Sequence, residues 1–172
     1  MKTFWKIITV VFMIIAVFLI AQNKKSEQPT HVSVDDSVFQ DPNINATQLC
    51  YIWNTEAGDQ AQLSMDIRAN QVIGEFNWRP AEKDSKTGIF RGTVSGGDTT
   101  TLKRTVNALW DASAEGVTNK EELIITFGEG IANVGFGEMK DRGDGVYVYV
   151  DKDHVNYESN LSQTDCGDEA MD

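Results

Sequence analysis

The sequence predicts a mainly β fold with one helix (α+β): a small antiparallel β-barrel or curved sheet closed by a single helix, behind an N-terminal hydrophobic anchor helix. Three observations predict it. Apolar and polar residues alternate in six to eight short runs between Leu49 and Tyr157, the period of half-buried strands. The links between runs are short and hold glycine and acidic residues, which suits antiparallel neighbours. Only the stretch from Asp98 to Gly116 carries helical spacing.

The chain opens with Lys2 and Lys6 ahead of an apolar run from Ile7 to Ala21, broken only by Thr9 and closed by Gln22-Asn23-Lys24-Lys25. This is the pattern of a membrane-targeting segment. At ~1.5 Å per helical residue the run covers ~22 Å, short of a ~30 Å hydrocarbon core. Phe4 and Trp5 extend it, with Lys6 snorkelling toward the headgroups. A cleaved signal peptide is the alternative, but cleavage after Ala21 would set Leu19 where a small residue is preferred. No cysteine follows the run, so lipid attachment at a new N-terminus is excluded. The expectation is a single-pass anchor with residues 4–22 in the membrane.

Residues 1–25 form this anchor or signal segment, and residues 26–47, polar and carrying Pro29 and Pro42, form a flexible tether. Residues 48–166 form the β-rich domain, and 167–172 a disordered acidic tail. Beyond residue 25 the chain holds 11 basic and 26 acidic side chains, a net charge of −15. That balance excludes nucleic acid as a partner and leaves a basic envelope protein as a suitable one. The two cysteines, Cys50 and Cys166, stand near the two ends of the domain. As a disulfide they would close a loop of over a hundred residues, stabilising by ~4 to 5 kcal/mol and placing the domain in an oxidising compartment, periplasmic or extracellular.

Leu49 to Trp53 opens the set of strands. Leu63, Met65 and Ile67 alternate with polar neighbours, and Val72, Gly74, Phe76 and Trp78 form a second clear strand that Pro80 ends. Gly88 to Val94 follows, completing a meander. A helix is expected next, capped by Asp98 or Thr99, with Leu102, Val106, Leu109 and Trp110 on one face and Gly116 terminating it. Thr118 to Glu121 has capping-box spacing and predicts one further helical turn. Leu123 to Phe127, Ala132 to Phe136, Val146 to Val150 and a short run from His154 to Tyr157 complete the strands.

The candidate binding surface is Gly135, Gly137, Glu138, Asp141, Asp144, Tyr147 and Tyr149. Gly135 and Gly137 share a face opposite Val134 and Phe136. Their missing side chains leave room for a ligand, or for a packed ring such as Trp110 or Trp78. Tyr147 and Tyr149 share a face too, a binding strip if open and core if inside. Asp141 to Gly145 offers two acids in a glycine turn, yet lacks the spacing of an EF-hand calcium loop; self-capped aspartates explain it without an ion. Its Arg142-Gly143-Asp144 triplet is too short to argue adhesion. Glu82-Lys83-Asp84-Ser85 reads as a solvated turn.

Catalysis finds little support. His154 is the only domain histidine, which excludes a multi-histidine metal centre there, and no nucleophile elbow or phosphate loop is present. Acid pairs such as Glu82 with Glu115, or Glu138 with Asp141, would suit glycoside hydrolysis in principle. No catalytic residue, cofactor or metal is assigned.

Several segments together carry a resemblance. They are Cys50-Tyr51, Glu82-Lys83-Asp84-Ser85, Ala114-Glu115-Gly116, Glu121-Glu122-Leu123 through Phe127-Gly128, Gly135-Phe136-Gly137-Glu138-Met139, Asp144-Gly145-Val146-Tyr147 and Asp165-Cys166. They resemble small uncharacterised exported bacterial proteins, many of them lipoprotein-like. The resemblance spans Cys50 to Cys166 and implies export but no activity; this chain departs from it in lacking a lipidation cysteine. A looser likeness, of architecture alone, is to bacterial lysozyme inhibitors. The expected function is a membrane-tethered extracytoplasmic binding module. An envelope hydrolase with paired carboxylates, or a calcium-stabilised structural domain, is the alternative.

Overall fold

Alternation along nearly every strand shapes the computed structural model, which describes residues 35–41, 44–96, 103–157 and 159–167. The expected anchor (1–25), half of the expected tether, Asp98, Thr99 and Leu102 of the expected helix, and the tail after Gly167 lie outside the described residues. Ten strands follow in chain order: β1 (Ala46–Asn54), β2 (Gln60–Arg68), β3 (Gln71–Arg79), β4 (Lys86–Ser95), β5 (Arg104–Ala114), β6 (Val117–Gly128), β7 (Ile131–Val134), β8 (Met139–Asp141), β9 (Val146–Tyr149) and β10 (Asn160–Thr164). Strands β1 to β7 pair antiparallel in sequence, and β10 pairs with both β7 and β1. Eight strands therefore close into a barrel, and closure removes the free edges an open sheet would expose.

Parity decides which side chains fill it. Ala61, Leu63, Met65 and Ile67 of β2 are buried, while the residues between them are half-exposed. Tyr51, Val72, Phe76, Phe90, Val106, Ile125, Val134 and Leu161 complete an interior packed with side chains. Burying each of the Val, Leu, Ile, Met and Phe side chains among them stabilises by about 1.5 to 3 kcal/mol. Position 74 of β3 shares the inward parity of Val72 and Phe76 and holds glycine, where a Cβ would run into the Phe90 ring and the Ser64 carbonyl.

The expected helix is corrected: its described part is β5. Val106, Ala108, Trp110 and Ala112 alternate inward, and Leu109 lies on the other face. Two of these four inward residues are alanine, which weakened the period-two signal and left the larger residues mimicking a helical stripe. Gly116 terminates no helix. With Glu115 it forms a two-residue hairpin turn, both residues at positive φ (50° and 80°), a geometry whose twist matches antiparallel strands. Thr118 to Glu121 forms no helical turn either; it lies in β6, where Lys120 pairs with Asp111 and Glu121 with Trp110. The run His154 to Tyr157 holds only an isolated bridge, Phe136 to Asn156, and the closing strand is β10.

The excursion between β7 and β10 folds against the outside of β6. Strand β9 runs parallel to β6 at Lys120 and Glu121, and β8 forms a hairpin with β9. Ile124, Tyr149 and Val155 make a second small core there, joined by Met139 and Tyr157. The disulfide joins Cys50 and Cys166, 116 residues apart with Cα atoms 5.3 Å apart, beside the β1–β10 pairing. A single helical turn, α1 (Ser37–Gln40), precedes the barrel. The Asp35 amide donates to Gln71 Oε1 at 2.7 Å, and Arg68 donates to the Phe39 carbonyl at 2.8 Å with its guanidinium 5.8 Å from that ring's centroid. Residues 35–41 thus lie beside the β2–β3 turn.

Candidate functional site

The links 55–59, 80–85 and 115–116 fall at one end of the barrel, opposite the β2–β3 turn, and the strand ends there form a mouth. Cross-strand pairing sets its residues side by side. Trp53 pairs with Ala61 and Ala61 with Trp78; Trp78 pairs with Lys86, and Trp110 with Glu121. The small Ala61 lets its two indole neighbours stack, with centroids 5.3 Å apart and planes 11° from parallel. Phe136 leans on Trp78 at 5.0 Å and remains 38% exposed, a large apolar ring open to solvent.

Among these aromatics sit two opposite charges. Lys86 and Glu121 have the inward parity of their strands, with Phe90 and Val94 on one and Leu123 and Ile125 on the other. Lys86 Nζ donates to both carboxylate oxygens of Glu121, at 2.6 and 2.8 Å, and lies 5.9 Å from the centroid of Trp110. The Trp110 indole N–H donates to the Gly88 carbonyl at 3.0 Å, which fixes the ring beneath the pair. The Glu121 side chain is 10% exposed and that of Lys86 39%, so the anion is built in and the cation reaches solvent. These groups line a cavity of about 220 Å³ that Phe76, Phe136 and Tyr149 complete.

The expected surface divides. Gly135, Gly137 and Tyr149 line this cavity. Glu138, Asp141, Asp144 and Tyr147 do not. The space beside Gly135 is taken by Val155 and Tyr157, and that beside Gly137 by Tyr149, not by Trp110 or Trp78. Tyr149 is buried, its hydroxyl donating to the Gly135 carbonyl at 2.8 Å, and burial, reinforced by the nearby Glu122 carboxylate, pushes its phenol far above the usual range. Tyr147 is exposed, so the two tyrosines make no continuous strip.

Asp141 accepts the amides of Gly143 and Gly145, closing its own turn. Asp144 pairs with Arg142 at 2.6 Å, and this partner lowers its carboxyl below the ordinary value. Both acids are thereby engaged within the loop. Among the described residues no group of three or more acids, histidines or cysteines is placed to hold a metal ion. Glu82 and Glu115 are both exposed, in separate links at the mouth end.

No family model, curated protein or solved structure matches this chain.

The sequence reasoning missed Lys86, Glu121, Trp53 and Phe136 as site residues. Parity held the signal: a lysine two residues before Gly88 and a glutamate two before Leu123 are charges on the inward faces of their strands. Tryptophans at the mouth-side ends of β1 and β3 were the second signal.

Proposed function

We propose that the chain is a membrane-tethered, extracytoplasmic recognition module that acts by binding, with the mouth of its barrel as the contact site. The observation that carries this reading is the aromatic rim, half-buried Trp53 and Trp78 with exposed Phe136, beside the inward Lys86–Glu121 pair. A rim that only capped the core would bury Phe136, whereas aromatic rings beside a charge pair combine the large contact area and polar groups of recognition surfaces. The strongly acidic composition favours a basic envelope protein as the partner. Tethering through residues 4–22 and export of the domain belong to the same proposal, supported by the apolar N-terminal run and by the disulfide, which suits an oxidising compartment.

The test uses the full-length chain on beads, exposed to a detergent-solubilised envelope extract of the source cells. Wild type and Ile89→Ser, a change on the barrel's outer face, should retain one protein in near-equal amount, and Phe136→Ala should lose it. Retention of the same proteins by all three overturns the assignment to the mouth.

A further inference from the structure

We infer that the mouth takes a guanidinium: an arginine side chain of a basic protein partner enters the cavity, pairs with Glu121 and displaces Lys86 into solvent. This rests on the mouth being the contact site and names the chemistry recognised there. The site already holds a cation, since Lys86 Nζ lies against both Glu121 oxygens and over Trp110. That cation is replaceable. Lys86 is at the first position of β4, on a flexible stem and 39% exposed, whereas Glu121 lies within β6 with its side chain 10% exposed.

An exchange of one cation for another conserves the charge balance around Glu121, so no buried carboxylate is left bare at any stage. Arginine has the advantage over the resident lysine. Its planar fork bonds both oxygens of a carboxylate in parallel, and its flat face stacks on aromatic rings such as Trp78, Trp110 and Phe136 around the cavity. Lysine supplies only a compact point charge that water solvates strongly. The net charge of −15 beyond residue 25 raises the encounter rate with a basic partner, and the mouth supplies the specific contact.

The test titrates the full-length protein in detergent micelles with three capped pentapeptides, Gly-Gly-X-Gly-Gly, in which X is arginine, lysine or citrulline. The indole N–H signals of the mouth tryptophans are followed by NMR at about 150 mM salt, where surface attractions are largely screened. The arginine peptide should bind about tenfold more tightly than the lysine peptide, and citrulline, which lacks the charge, should not bind. Glu121→Gln should weaken arginine binding at least about tenfold. Glu129→Gln, the same charge change in the exposed turn at the far end, should leave it unchanged. Lys86→Met, which frees the carboxylate, should tighten it.

Equal weakening by Glu121→Gln and Glu129→Gln, or weakening by Lys86→Met, overturns the inference. Response to an N-acetylglucosamine tetramer in place of the arginine peptide also overturns it, and leaves the mouth as a glycan site. A partner captured at the mouth that Glu121→Gln still retains rejects the guanidinium while the contact site stands.

Discussion

Glu121 concentrates the consequences of the fold at one residue. Removing its partner by Lys86→Met should cost about 1 to 3 kcal/mol in urea unfolding, below the usual cost of breaking a buried pair because Lys86 is partly solvated. Lys86→Met combined with Glu121→Leu should recover most of that loss, since an apolar pair needs no compensating charge. Tyr149 gives a second residue-scale expectation, read through pH. Its phenol ionises far above the ordinary value of 10 in the folded state, so the folded protein favours the neutral form. Stability contributed by this group is therefore full below about pH 10 and falls as pH rises beyond it, where the unfolded phenol ionises first. Tyr149→Phe should flatten that alkaline decline while losing about 1 kcal/mol at neutral pH with its bond to the Gly135 carbonyl. A pH series of melting temperatures on both proteins distinguishes these effects.

At the scale of elements, hairpin turns and packed glycines fix the register. Glu115 occupies a left-handed conformation that a β-carbon disfavours (φ 50°), so Glu115→Asn should stabilise by about 0.5 kcal/mol, measured by denaturant midpoint. Gly74→Ala should destabilise by about 1 to 3 kcal/mol, because its methyl group meets Phe90 where the ring has no room to withdraw. Strands β2 and β3 were legible in the sequence because apolar residues repeat at most second positions between turn residues, and β4 because Ile89, Phe90, Thr93 and Val94 favour strands while Gly88 and Gly92 argue against a helix. Strand β5 was not, since Ala108 and Ala112 carry too little hydrophobic signal to reveal the alternation. Strand β10 has one fully buried residue, Leu161, among polar neighbours and offers no period to read. The site was half legible for a related reason. Gly135, Gly137 and Tyr149 drew notice by local composition, whereas Lys86 and Glu121 meet across 35 residues and become neighbours only when β4 to β6 align.

Across the whole molecule, the disulfide and barrel closure act together. Cys50 and Cys166 clamp β1 to β10, where the two ends of the sheet join. Reduction should lower the unfolding free energy by up to about 4 to 5 kcal/mol, seen as a lower denaturant midpoint with dithiothreitol and reproduced by a double serine variant. A packed interior leaves no channel through the barrel, so a partner meets the molecule at its outer wall or at its ends. At one end residues 35–41 contact the β2–β3 turn, and the opposite end presents the aromatic mouth. Three of the four tryptophans in the chain, Trp53, Trp78 and Trp110, belong to that mouth, so their indole signals report on it directly. The measurement that tests the central claim is the NMR spectrum of uniformly isotope-labelled protein with and without the partner retained from envelope extract. Shifts of the Trp53, Trp78 and Trp110 indole N–H signals, abolished by Phe136→Ala, are the predicted result. Unmoved indoles together with shifts at outer-face positions such as Ile89 or Tyr147 would contradict it.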